Sequence, residues 1–475
     1  MSRIEADVCV IGAGSGGLSV AAGAAQMGAR TVLIERGAMG GDCLNVGCVP
    51  SKALIAAAKA AEAVRTAGRL GIRAAAPAVD FPAVMAHVRD VIAGIAPHDG
   101  QARFEGLGVT VLRATARFIG RDTVATDAGD TVRARRFVIA TGSRPRVPDL
   151  PGLDRVPFLT NETLFDLDAL PDHLLVLGGG PIGCEMAQAF RRLGARVTVL
   201  QKGTILPRED PDLVAVVRAR MVAEGVDLRE GVTVSAADPD PAGVALRIAG
   251  PDGPATVAGS HLLVAVGRVA DLDRLDLAAA GVQRKPTGVW VHPGLRTTNT
   301  RIWAIGDAVG GLQFTHVAGH QAGIVLRQAL FRLPAAFDPR AVPRVTYTAP
   351  ELAQVGLTAA EAAERSANFK VLTSPFADND RARTERETDG LVKLVVRENG
   401  EVLGAGIAGA HAGELIHAWT LAVAQRMKVG AMAQTIAPYP TLAEAGKRAA
   451  GSFFTPRLFG PGVRRLVRFL GRLPG

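Results

Sequence analysis

Apolar and small residues near the amino terminus follow a pattern that predicts a strand, a tight turn and a helix in succession. The apolar run 8–11 leads into a glycine-rich turn, and a second apolar run, 31–34, ends at Glu35. The glycines of the turn, in G-x-G-x-x-G spacing, are Gly12, Gly14 and Gly17. Such glycines permit the turn, the approach of a pyrophosphate and the packing of helix on strand, and the acid can bind ribose hydroxyls. The pattern therefore predicts a dinucleotide site.

The same pattern recurs later in the chain, where the stretch Val176–Lys202 matches Val10–Arg36 at a constant offset. The glycines of the second copy are Gly178, Gly180 and Gly183. Two dinucleotide sites are therefore predicted. At the end of the second strand Gln201 replaces the acid, and Lys202 follows it. A carboxylate there suits a free 2′-hydroxyl and a cation suits a 2′-phosphate, so this copy favours NADPH over NADH; a merely solvated lysine is the alternative.

The chain has 475 residues but four cysteines, which are too few for a secreted disulfide scaffold. They are Cys9, Cys43, Cys48 and Cys184. Cys43 and Cys48 precede Pro50 and an alanine-rich run that predicts a helix, and we expect both sulfurs to lie at its N-terminus, where a thiolate is favoured. The C-x4-C spacing allows either a redox-active disulfide or two unpaired thiols. The neighbouring dinucleotide pattern favours the disulfide.

Together these motifs resemble the flavoprotein pyridine nucleotide-disulfide oxidoreductases, the class that contains dihydrolipoamide dehydrogenase, glutathione reductase and mercuric reductase. The resemblance extends from about Ala6 to Gly451 and rests on both glycine patterns and on residues 40–52. Shorter motifs add to it: Ala140-Thr-Gly-Ser-Arg, Val266-Gly-Arg, Ala304-Ile-Gly-Asp, Pro350-Glu and Pro440-Thr-x-x-Glu. It implies an α/β fold with two Rossmann-like folds, for FAD and NAD(P), and a C-terminal α+β dimerisation domain.

The expected domain boundaries follow from these motifs and from proline and glycine punctuation. We expect a FAD-binding domain in two parts, 1–152 and 273–342, an NAD(P)-binding domain at 153–272, a dimerisation domain at 343–451 and a basic tail at 452–475. Three local elements are also expected: a hairpin-like segment at 109–138, a strand at 391–396 and a helix at 412–427.

The resemblance also implies roles for individual residues. Cys48 would lie against the flavin, and Cys43 would face the substrate. Lys52 and Glu185 would pair near the reactive flavin nitrogen, and a plain interdomain salt bridge is the alternative. The residues expected to bind FAD are Gly12, Gly14, Gly17, Glu35, Asp42, Lys52, Ala116, Thr141, Gly142, Asp307 and Thr315. The residues expected to bind NAD(P) are Gly178, Gly180, Gly183, Gln201, Lys202 and Gly267. No resident metal is predicted.

The chain departs from the commonest pattern of this class at Tyr439. Disulfide-reducing members carry a histidine there, supplied by the partner subunit and oriented by a glutamate that corresponds to Glu444. An ordinary histidine titrates near pH 6.5 and a tyrosine near pH 10, so tyrosine is a poor base at neutral pH. Oxidation of a dithiol should therefore be slow, whereas reduction of an electrophile remains feasible. Alternatively, Tyr439 only packs at a subunit interface.

Mercuric reductases resemble this chain in having tyrosine at that position, and a thiolate pair suits a soft cation. They also carry additional cysteines that transfer the metal, whereas no cysteine follows Cys184 here. We therefore expect poor mercury reduction. The predicted activity is transfer of electrons from NAD(P)H through FAD and the two cysteines to a small disulfide or other thiol-reactive acceptor. Alternatives are mercuric reductase, dihydrolipoamide dehydrogenase, quinone reductase and a membrane-associated redox module.

Positive charge is concentrated near the carboxyl end of the sequence. The net charge is +9, and beyond Glu444 the chain has seven basic residues and no acidic one. Apolar residues within 461–473 recur at helical spacing opposite arginines, which predicts a basic amphipathic helix that could lie on an anionic membrane, dock on its own protein or remain free. No nucleic-acid motif is present. Charged residues lead directly into the first strand and no apolar run could span a membrane, so we expect a cytoplasmic homodimer.

Overall fold

The computed structural model describes residues 2–365 and 368–473. These residues form two compact units. The first unit comprises the described residues of 1–65, 75–202 and 231–338, and the second comprises those of 66–74, 203–230 and 339–475. This division does not test the predicted domain boundaries, which stay predictions.

The first 202 residues form helices and strands in the order that the glycine patterns predict. Their helices are α1 (Ser15–Gln26), α2 (Gly41–Asn45), α3 (Cys48–Thr66), α4 (Phe81–Asp99), α5 (Gln101–Gly106) and α6 (Pro181–Leu193). Their strands are β1 (Arg3–Ile11), β2 (Thr31–Glu35), β3 (Val109–Arg113), β4 (Ala116–Gly120), β5 (Thr123–Thr126), β6 (Thr131–Ile139), β7 (Ser143–Pro145), β8 (His173–Leu177) and β9 (Arg196–Gln201).

The middle of the chain is mostly strand. It contains α7 (Pro211–Ala223), β10 (Asp227–Glu230), β11 (Thr233–Asp240), β12 (Gly243–Gly250), β13 (Gly253–Gly259), β14 (His261–Val264), β15 (Arg268–Ala270), β16 (Arg284–Lys285), β17 (Gly288–Val289), β18 (Ile302–Ala304) and α8 (Thr315–Ala329).

The last third alternates strands and helices. It contains β19 (Arg344–Thr346), β20 (Glu351–Gly356), α9 (Ala359–Arg365), β21 (Phe369–Pro375), α10 (Asp380–Glu385), β22 (Leu391–Arg397), β23 (Val402–Gly409), α11 (Ala412–Ala424), α12 (Val429–Gln434), α13 (Ala443–Ser452), α14 (Thr455–Leu458) and α15 (Pro461–Leu470).

The main sheet of the first unit has the order β3-β2-β1-β6-β5-β4, and β18 also pairs with β6. Strands β1, β2, β3, β6 and β18 pair in parallel, whereas β4 and β5 are antiparallel. Successive side chains of β1 pack into two different hydrophobic cores, one on each face of the sheet, because strand residues alternate between the two faces. Val10 lies in one buried cluster with Leu33, and Cys9 lies in the other with Val32. Both faces of the parallel strands are therefore covered.

The second βαβ repeat lies in the same unit. Strand β8 pairs in parallel with β9 and β14, with Leu175 opposite Thr198, and α6 follows β8 as the glycine pattern predicts. Strands β11, β12 and β13 add an antiparallel sheet. The segment 109–138 differs from the expected hairpin, because β3 belongs to the parallel pairing and only β4, β5 and β6 form antiparallel neighbours. The buried Val109 explains the difference: it packs in the same core as Val10.

The second unit is built on an antiparallel sheet of order β19-β20-β23-β22-β21. Its core gathers apolar residues of this sheet with α11 and α13, including Ile407, Trp419 and Ala449. The expected strand at 391–396 is β22, and the expected helix at 412–427 is α11, which ends at Ala424. The expected tail helix is α15. The sheet and its helices place Tyr439 and Glu444 in the segment that leads into and begins α13.

Candidate functional site

The first glycine turn has the geometry of a dinucleotide cradle. Gly12 has a positive φ of 103°, and a Cβ there would lie 2.3 Å from the carbonyl oxygen of Ala140. A Cβ on Gly17 would lie 1.9 Å from the carbonyl oxygen of Gly12, whereas Gly14 has open space above its Cα. The first and third glycines are therefore required by local packing, and the second leaves its approach free for a ligand.

The carboxylate of Glu35 accepts hydrogen bonds from the backbone of this turn and of Gly37. Its Oε2 accepts a hydrogen bond of 2.6 Å from the backbone nitrogen of Ala13, and its Oε1 accepts one of 2.6 Å from Gly37. Ala116 and Thr141 line the same small cavity as Gly12 and Glu35, so the fold brings these predicted FAD ligands together.

The hydroxyl of Thr141 fits a bound cofactor. Its Oγ1 is buried, and no described group hydrogen-bonds to it. Buried hydroxyls are normally paired, so an unpaired one beside a glycine cradle is suited to a polar ligand. Gly142, which follows it, has a positive φ of 71°. The residues present therefore fit a dinucleotide such as FAD in the first fold.

The second glycine turn repeats the first in detail. Gly178 has a positive φ of 110°, and a Cβ on Gly183 would lie 1.9 Å from the carbonyl oxygen of Gly178. Gln201 Oε1 accepts a hydrogen bond of 2.8 Å from the backbone nitrogen of Gly179, as Glu35 does in the first copy. Glutamine in place of glutamate thus keeps the hydrogen bond to the turn and removes the negative charge. Lys202 is exposed beside it.

Two further glycines complete the predicted NAD(P) set. Nothing lies within 4 Å of a Cβ built on Gly180, so its approach is open, as it is for Gly14 in the first turn. Gly267 has a positive φ of 115°, which favours glycine at that position. The roles of these residues in binding a nucleotide stay predictions.

The two candidate redox cysteines lie side by side in the first unit. Both are free thiols in this structure, and their side chains interact through a hydrogen bond. Cys48 begins α3, whereas Cys43 lies within the short α2, so only Cys48 occupies the helix N-terminus that we expected for both. Cys48 Sγ also lies 3.5 Å from Thr315 Oγ1, at the start of α8.

The pair is electrostatically asymmetric. The hydrogen bond from Cys43, a second from Thr315 and the positive charge of Lys52 lower the pKa of Cys48 to about 6, although burial opposes the shift. The hydrogen bond to Cys48, together with burial, raises the pKa of Cys43. One proton is therefore shared unequally, with Cys48 as the thiolate and Cys43 as the proton donor.

Lys52 connects this thiolate to a buried carboxylate. Its Nζ donates a hydrogen bond of 2.9 Å to Oε2 of Glu185, whose side chain is 6% exposed. Lys52 follows Cys48 by four residues, so both lie on one face of α3. The predicted pair therefore exists, and its positive member also favours the Cys48 thiolate.

A network of polar side chains lies beside α2, and sequence reasoning missed most of it. Arg268 donates hydrogen bonds to Asp42 at 2.9 Å, to Asn161 at 3.0 Å and to Ser143 at 2.8 Å. Ser143 in turn donates one of 2.5 Å to Oδ2 of Asp307. Arg268 and Ser143 belong to the short motifs Val266-Gly-Arg and Ala140-Thr-Gly-Ser-Arg, which were the available signal.

The environment of Asp307 is unusual for a carboxyl group. Burial raises its pKa, while Ser143 and Arg268 oppose that shift. Asp42 carries a second carboxylate near it and adds to the rise. Arg268 therefore compensates two acids in a confined space, which fixes the positions of Asp42 and Asp307 for any ligand of this region.

Tyr439 and Glu444 lie in the second unit and do not contact each other through a described hydrogen bond. The Tyr439 hydroxyl donates a hydrogen bond of 3.2 Å to Oδ2 of Asp380, and its side chain is 72% exposed. Asp380 is the larger cause, and Glu444 a smaller one, of the raised pKa of Tyr439. Glu444 instead accepts a hydrogen bond of 3.3 Å from the backbone nitrogen of Thr441. Asp380 was not predicted, because it is 59 residues away in sequence.

Within 2–365 and 368–473, no group of three or more His, Cys, Asp and Glu side chains is arranged to hold a metal ion. None of the helices described for these residues is long and apolar enough to cross a membrane.

Comparison with known proteins places the chain in a family. The model of the pyridine nucleotide-disulphide oxidoreductases matches residues 6–322, and the model of the dimerisation domain of the same family matches residues 342–450. The chain belongs to the pyridine nucleotide-disulphide oxidoreductase family. It is thus an oxidoreductase of a family that uses FAD and NAD(P)H, and the dimerisation domain supports a homodimer. The predicted α/β fold class and the two cofactors are confirmed.

Three relatives illustrate the range of the family. A mercuric reductase of Streptomyces lividans is 38% identical over 454 residues, which cover 94% of this chain and 96% of that protein. A dihydrolipoyl dehydrogenase of Geobacillus stearothermophilus is 34% identical, with coverage of 94% and 96%. The solved structure of the HOCl-induced flavoprotein disulfide reductase RclA from Escherichia coli matches with a TM-score of 0.84 and 28% identity, over 94% of this chain and 99% of that one. RclA has also been solved as a Cu(II) complex.

Proposed function

We propose that the enzyme passes electrons from NAD(P)H through FAD to Cys43 and Cys48, and from these to a small thiol-reactive acceptor. Bound FAD would accept a hydride from the nicotinamide and pass two electrons to the cysteine pair. The observation that carries the proposal is the asymmetric dithiol, in which Cys43 and Thr315 hydrogen-bond to Cys48 and Lys52 supplies positive charge. A pair so arranged keeps one thiolate ready at neutral pH.

For a disulfide acceptor, the exchange would take two steps. The Cys43 thiol passes its proton to the Cys48 thiolate through the hydrogen bond between them and attacks one acceptor sulfur, so that a mixed disulfide forms and the first thiolate leaves. That thiolate takes the proton from Cys48, which becomes a thiolate again. The Cys48 thiolate then attacks the Cys43 sulfur, which closes the Cys43–Cys48 disulfide and releases the second thiolate. The acceptor gains two electrons, and the two cysteines lose them.

Tyr439 favours this direction over oxidation of a dithiol. Asp380 and Glu444 raise the pKa of its hydroxyl, so it keeps its proton at neutral pH and serves as a donor rather than as a base. A leaving thiolate needs a proton, whereas an incoming dithiol needs a base. Dihydrolipoamide oxidation is therefore the less favoured activity.

A soft metal ion is the second candidate acceptor, and Tyr439 is the observation that favours it. Mercuric reductases resemble the chain at this position, and thiolates are suitable ligands for soft cations. The absence of cysteine after Cys184 argues against efficient transfer of mercury to the site. We therefore propose the disulfide or another small electrophile as the main acceptor and Hg(II) as a slower one.

Turnover with a panel of acceptors tests this function. The FAD-loaded protein is assayed with NADPH and NADH against a small aliphatic disulfide, Hg(II), oxidised lipoamide and a quinone. Cys43→Ala and Cys48→Ala should abolish disulfide turnover, and Cys184→Ala, which alters a buried cysteine of α6, is the matched control. Undiminished turnover in both variants with a quinone, and none with any disulfide, would contradict the proposal and identify a quinone reductase.

NADPH is proposed as the better donor, because Gln201 keeps the contact to the turn without a charge and the exposed Lys202 is adjacent. Lys202→Glu should reduce kcat/KM for NADPH more than for NADH. An equal effect on the two nucleotides would contradict this preference.

We further propose that the enzyme is cytoplasmic and that α15 lies on an anionic membrane surface. Its apolar residues Leu466, Val467, Phe469 and Leu470 are between 51% and 61% exposed, and Arg464, Arg465 and Arg468 share the same short helix. Exposed apolar area next to cations is the chemistry that anionic headgroups attract, at about 1 kcal/mol per basic residue.

Sedimentation with lipid vesicles tests the role of α15. The full chain should sediment with phosphatidylglycerol vesicles but not with phosphatidylcholine vesicles. The triple variant Arg464→Gln, Arg465→Gln, Arg468→Gln should lose this association, whereas Arg365→Gln, at the end of α9, should retain it. Equal binding by both variants, or no binding by the full chain, would contradict the proposal.

A further inference from the structure

A cavity of about 770 Å³ in the first unit is lined by arginines that the reaction does not use. We name it the arginine cavity after the five that line it: Arg135, Arg136, Arg296, Arg301 and Arg332. His292, Trp303 and Gln328 also line it, and none of its described lining residues is acidic. Arg135, Arg301 and Arg332 are exposed, whereas Arg136 and Arg296 are half-buried. Like charges repel more strongly where water is partly excluded, so the repulsion is greatest at these two arginines unless negative charge is close.

The sheet brings the backbones of three of these arginines close together. Arg135 and Arg136 are successive residues of β6, and Arg301 directly precedes β18, which pairs in parallel with β6 through Ile302 and Phe137. Arg332 lies just after α8. Strand pairing thus places the backbones of Arg135, Arg136 and Arg301 close together, and Arg296 and Arg332 line the cavity from other segments.

Two carboxylates that approach arginines of the cavity, Asp7 and Asp122, are shared with arginines outside it. Arg135 lies 3.7 Å from Asp7, but Arg30 approaches the same carboxylate to 3.1 Å. Arg301 lies 3.6 Å from Asp122, which Arg133 approaches to 3.1 Å. Each acid is therefore shared by at least two arginines, and Asp7 also partly offsets the charge of Arg136.

The two half-buried arginines of the cavity are Arg136 and Arg296. Arg296 Nε is buried without a described hydrogen-bond partner, and its guanidinium lies over the ring of Trp303 at 4.8 Å. Burial, and then the positive charges of Arg332 and Arg135, lower the pKa of Arg136, while the carboxylate of Asp7 partly opposes the shift. Buried donors are normally paired, so this wall is suited to an anion that supplies acceptors.

The neutral wall is held rigid and adds donors of its own. Gln328 Nε2 donates to the carbonyl oxygens of Gly294 and Ala335 at 2.8 and 2.7 Å, and its Oε1 accepts from Trp303 Nε1 at 3.3 Å. His292 Nδ1 accepts a hydrogen bond of 2.7 Å from Gly294, so its proton resides on Nε2, which can donate. Because these side chains are already ordered by hydrogen bonds, less conformational entropy is lost when a ligand binds.

We propose that the arginine cavity binds a compact polyphosphate anion. Guanidinium groups match phosphate oxygens in pairs, and several phosphates are needed to reach several arginines. The volume also exceeds the roughly 30 Å³ of a single water many times over, so a monoatomic ion would leave most of the cavity unfilled. Trp303 is 2% exposed and covered by Arg296, so no aromatic face remains for a nucleobase.

This site lies apart from the nucleotide and dithiol residues. Thr141 and Asp307 follow the carboxyl ends of β6 and β18, whereas Arg301 precedes the amino end of β18. Because the two strands run in parallel, the cavity is displaced toward the amino end of β18, away from the catalytic end of the sheet. Binding there is independent of the proposed reaction, so neither result determines the other.

Calorimetric titration of the FAD-loaded full chain with tripolyphosphate tests the proposal. Tripolyphosphate should bind at least about 10-fold more tightly than orthophosphate, and Arg136→Gln and Arg332→Gln should each weaken it by about 10-fold or more, the effect of losing one charge-assisted hydrogen bond. Arg117→Gln is the matched control, because Arg117 is an exposed arginine of β4 in the same sheet and does not line the cavity. Arg332 is itself exposed, so its variant should fold even if that of Arg136 does not.

Three results would overturn the assignment. The first is equal affinity for tripolyphosphate and orthophosphate, which would indicate general screening by salt. The second is equal loss of binding in Arg117→Gln and Arg332→Gln, or loss in the tail variant of Arg464, Arg465 and Arg468, which would place the anion elsewhere. The third is ATP binding at least tenfold more tightly than tripolyphosphate, which would require a nucleobase site.

Discussion

The pKa of Cys48 should rise when Cys43 is replaced by alanine. The Cys43 thiol is the largest cause of the low value of about 6, ahead of Thr315 and Lys52. A hydrogen bond to a charged group contributes about 1.5–3 kcal/mol, and one pH unit corresponds to about 1.4 kcal/mol. A thiol is a weak donor, so we take the lower end and expect a rise of about one unit. At pH 7 the thiolate fraction would fall from about nine-tenths to about one half.

The matched control is Cys43→Ser, because a serine hydroxyl can still donate a hydrogen bond to the Cys48 thiolate. Both variants are loaded with FAD, and the long-wavelength absorbance of a thiolate beside oxidised flavin is titrated between about pH 4.5 and 9. The lowered pKa means that the band is present above the midpoint and disappears as the pH falls through it. We expect a midpoint near 7 for Cys43→Ala and near 6 for Cys43→Ser. Identical midpoints would refute the assignment of Cys43 as the hydrogen-bond donor.

Three further predictions concern charged side chains and Tyr439. Lys52→Met should raise the pKa of Cys48, because it removes a positive charge that stabilises the thiolate. It should also lower the free energy of unfolding by about 1–3 kcal/mol, because the buried Glu185 loses this cation. An unchanged free energy of unfolding in urea would contradict the second effect. Lys393→Met should cost about 3–5 kcal/mol, since Lys393 is buried and lies 2.9 Å from the buried Asp210; thermal unfolding would show this as a clearly lower Tm. Tyr439→His should raise dihydrolipoamide oxidation by about 100-fold or more at neutral pH, and an unchanged rate would show that this position does not supply the base.

Local sequence was sufficient to predict the nucleotide folds because their requirements are local. Gly12 and Gly17 are needed by backbone contacts within the same turn, and the alternation of apolar residues in β1 reports two covered faces of a parallel sheet. The same holds for Lys52, which is one helical turn from Cys48. Its partner Glu185 required the family resemblance, because 133 residues separate the two.

Contacts between distant segments were beyond the reach of sequence reasoning. Arg268 joins Asp42, which is 226 residues earlier, and Asp380 meets Tyr439 across 59 residues. The arginine cavity likewise depends on the pairing of β18 with β6, which no periodicity reveals. The segment from Val109 was misassigned as part of a hairpin, because an edge strand of a parallel sheet and a hairpin strand have similar short apolar patterns.

The most direct test of the central claim is an anaerobic titration of the FAD-loaded protein with NADPH, followed by absorbance. If electrons pass to Cys43 and Cys48, two-electron reduction should produce long-wavelength absorbance from the Cys48 thiolate beside oxidised flavin, and a small disulfide should then restore the starting spectrum. Direct bleaching of the flavin at two electrons, without that band and with no response to a disulfide, would show that the cysteines lie outside the path of the electrons.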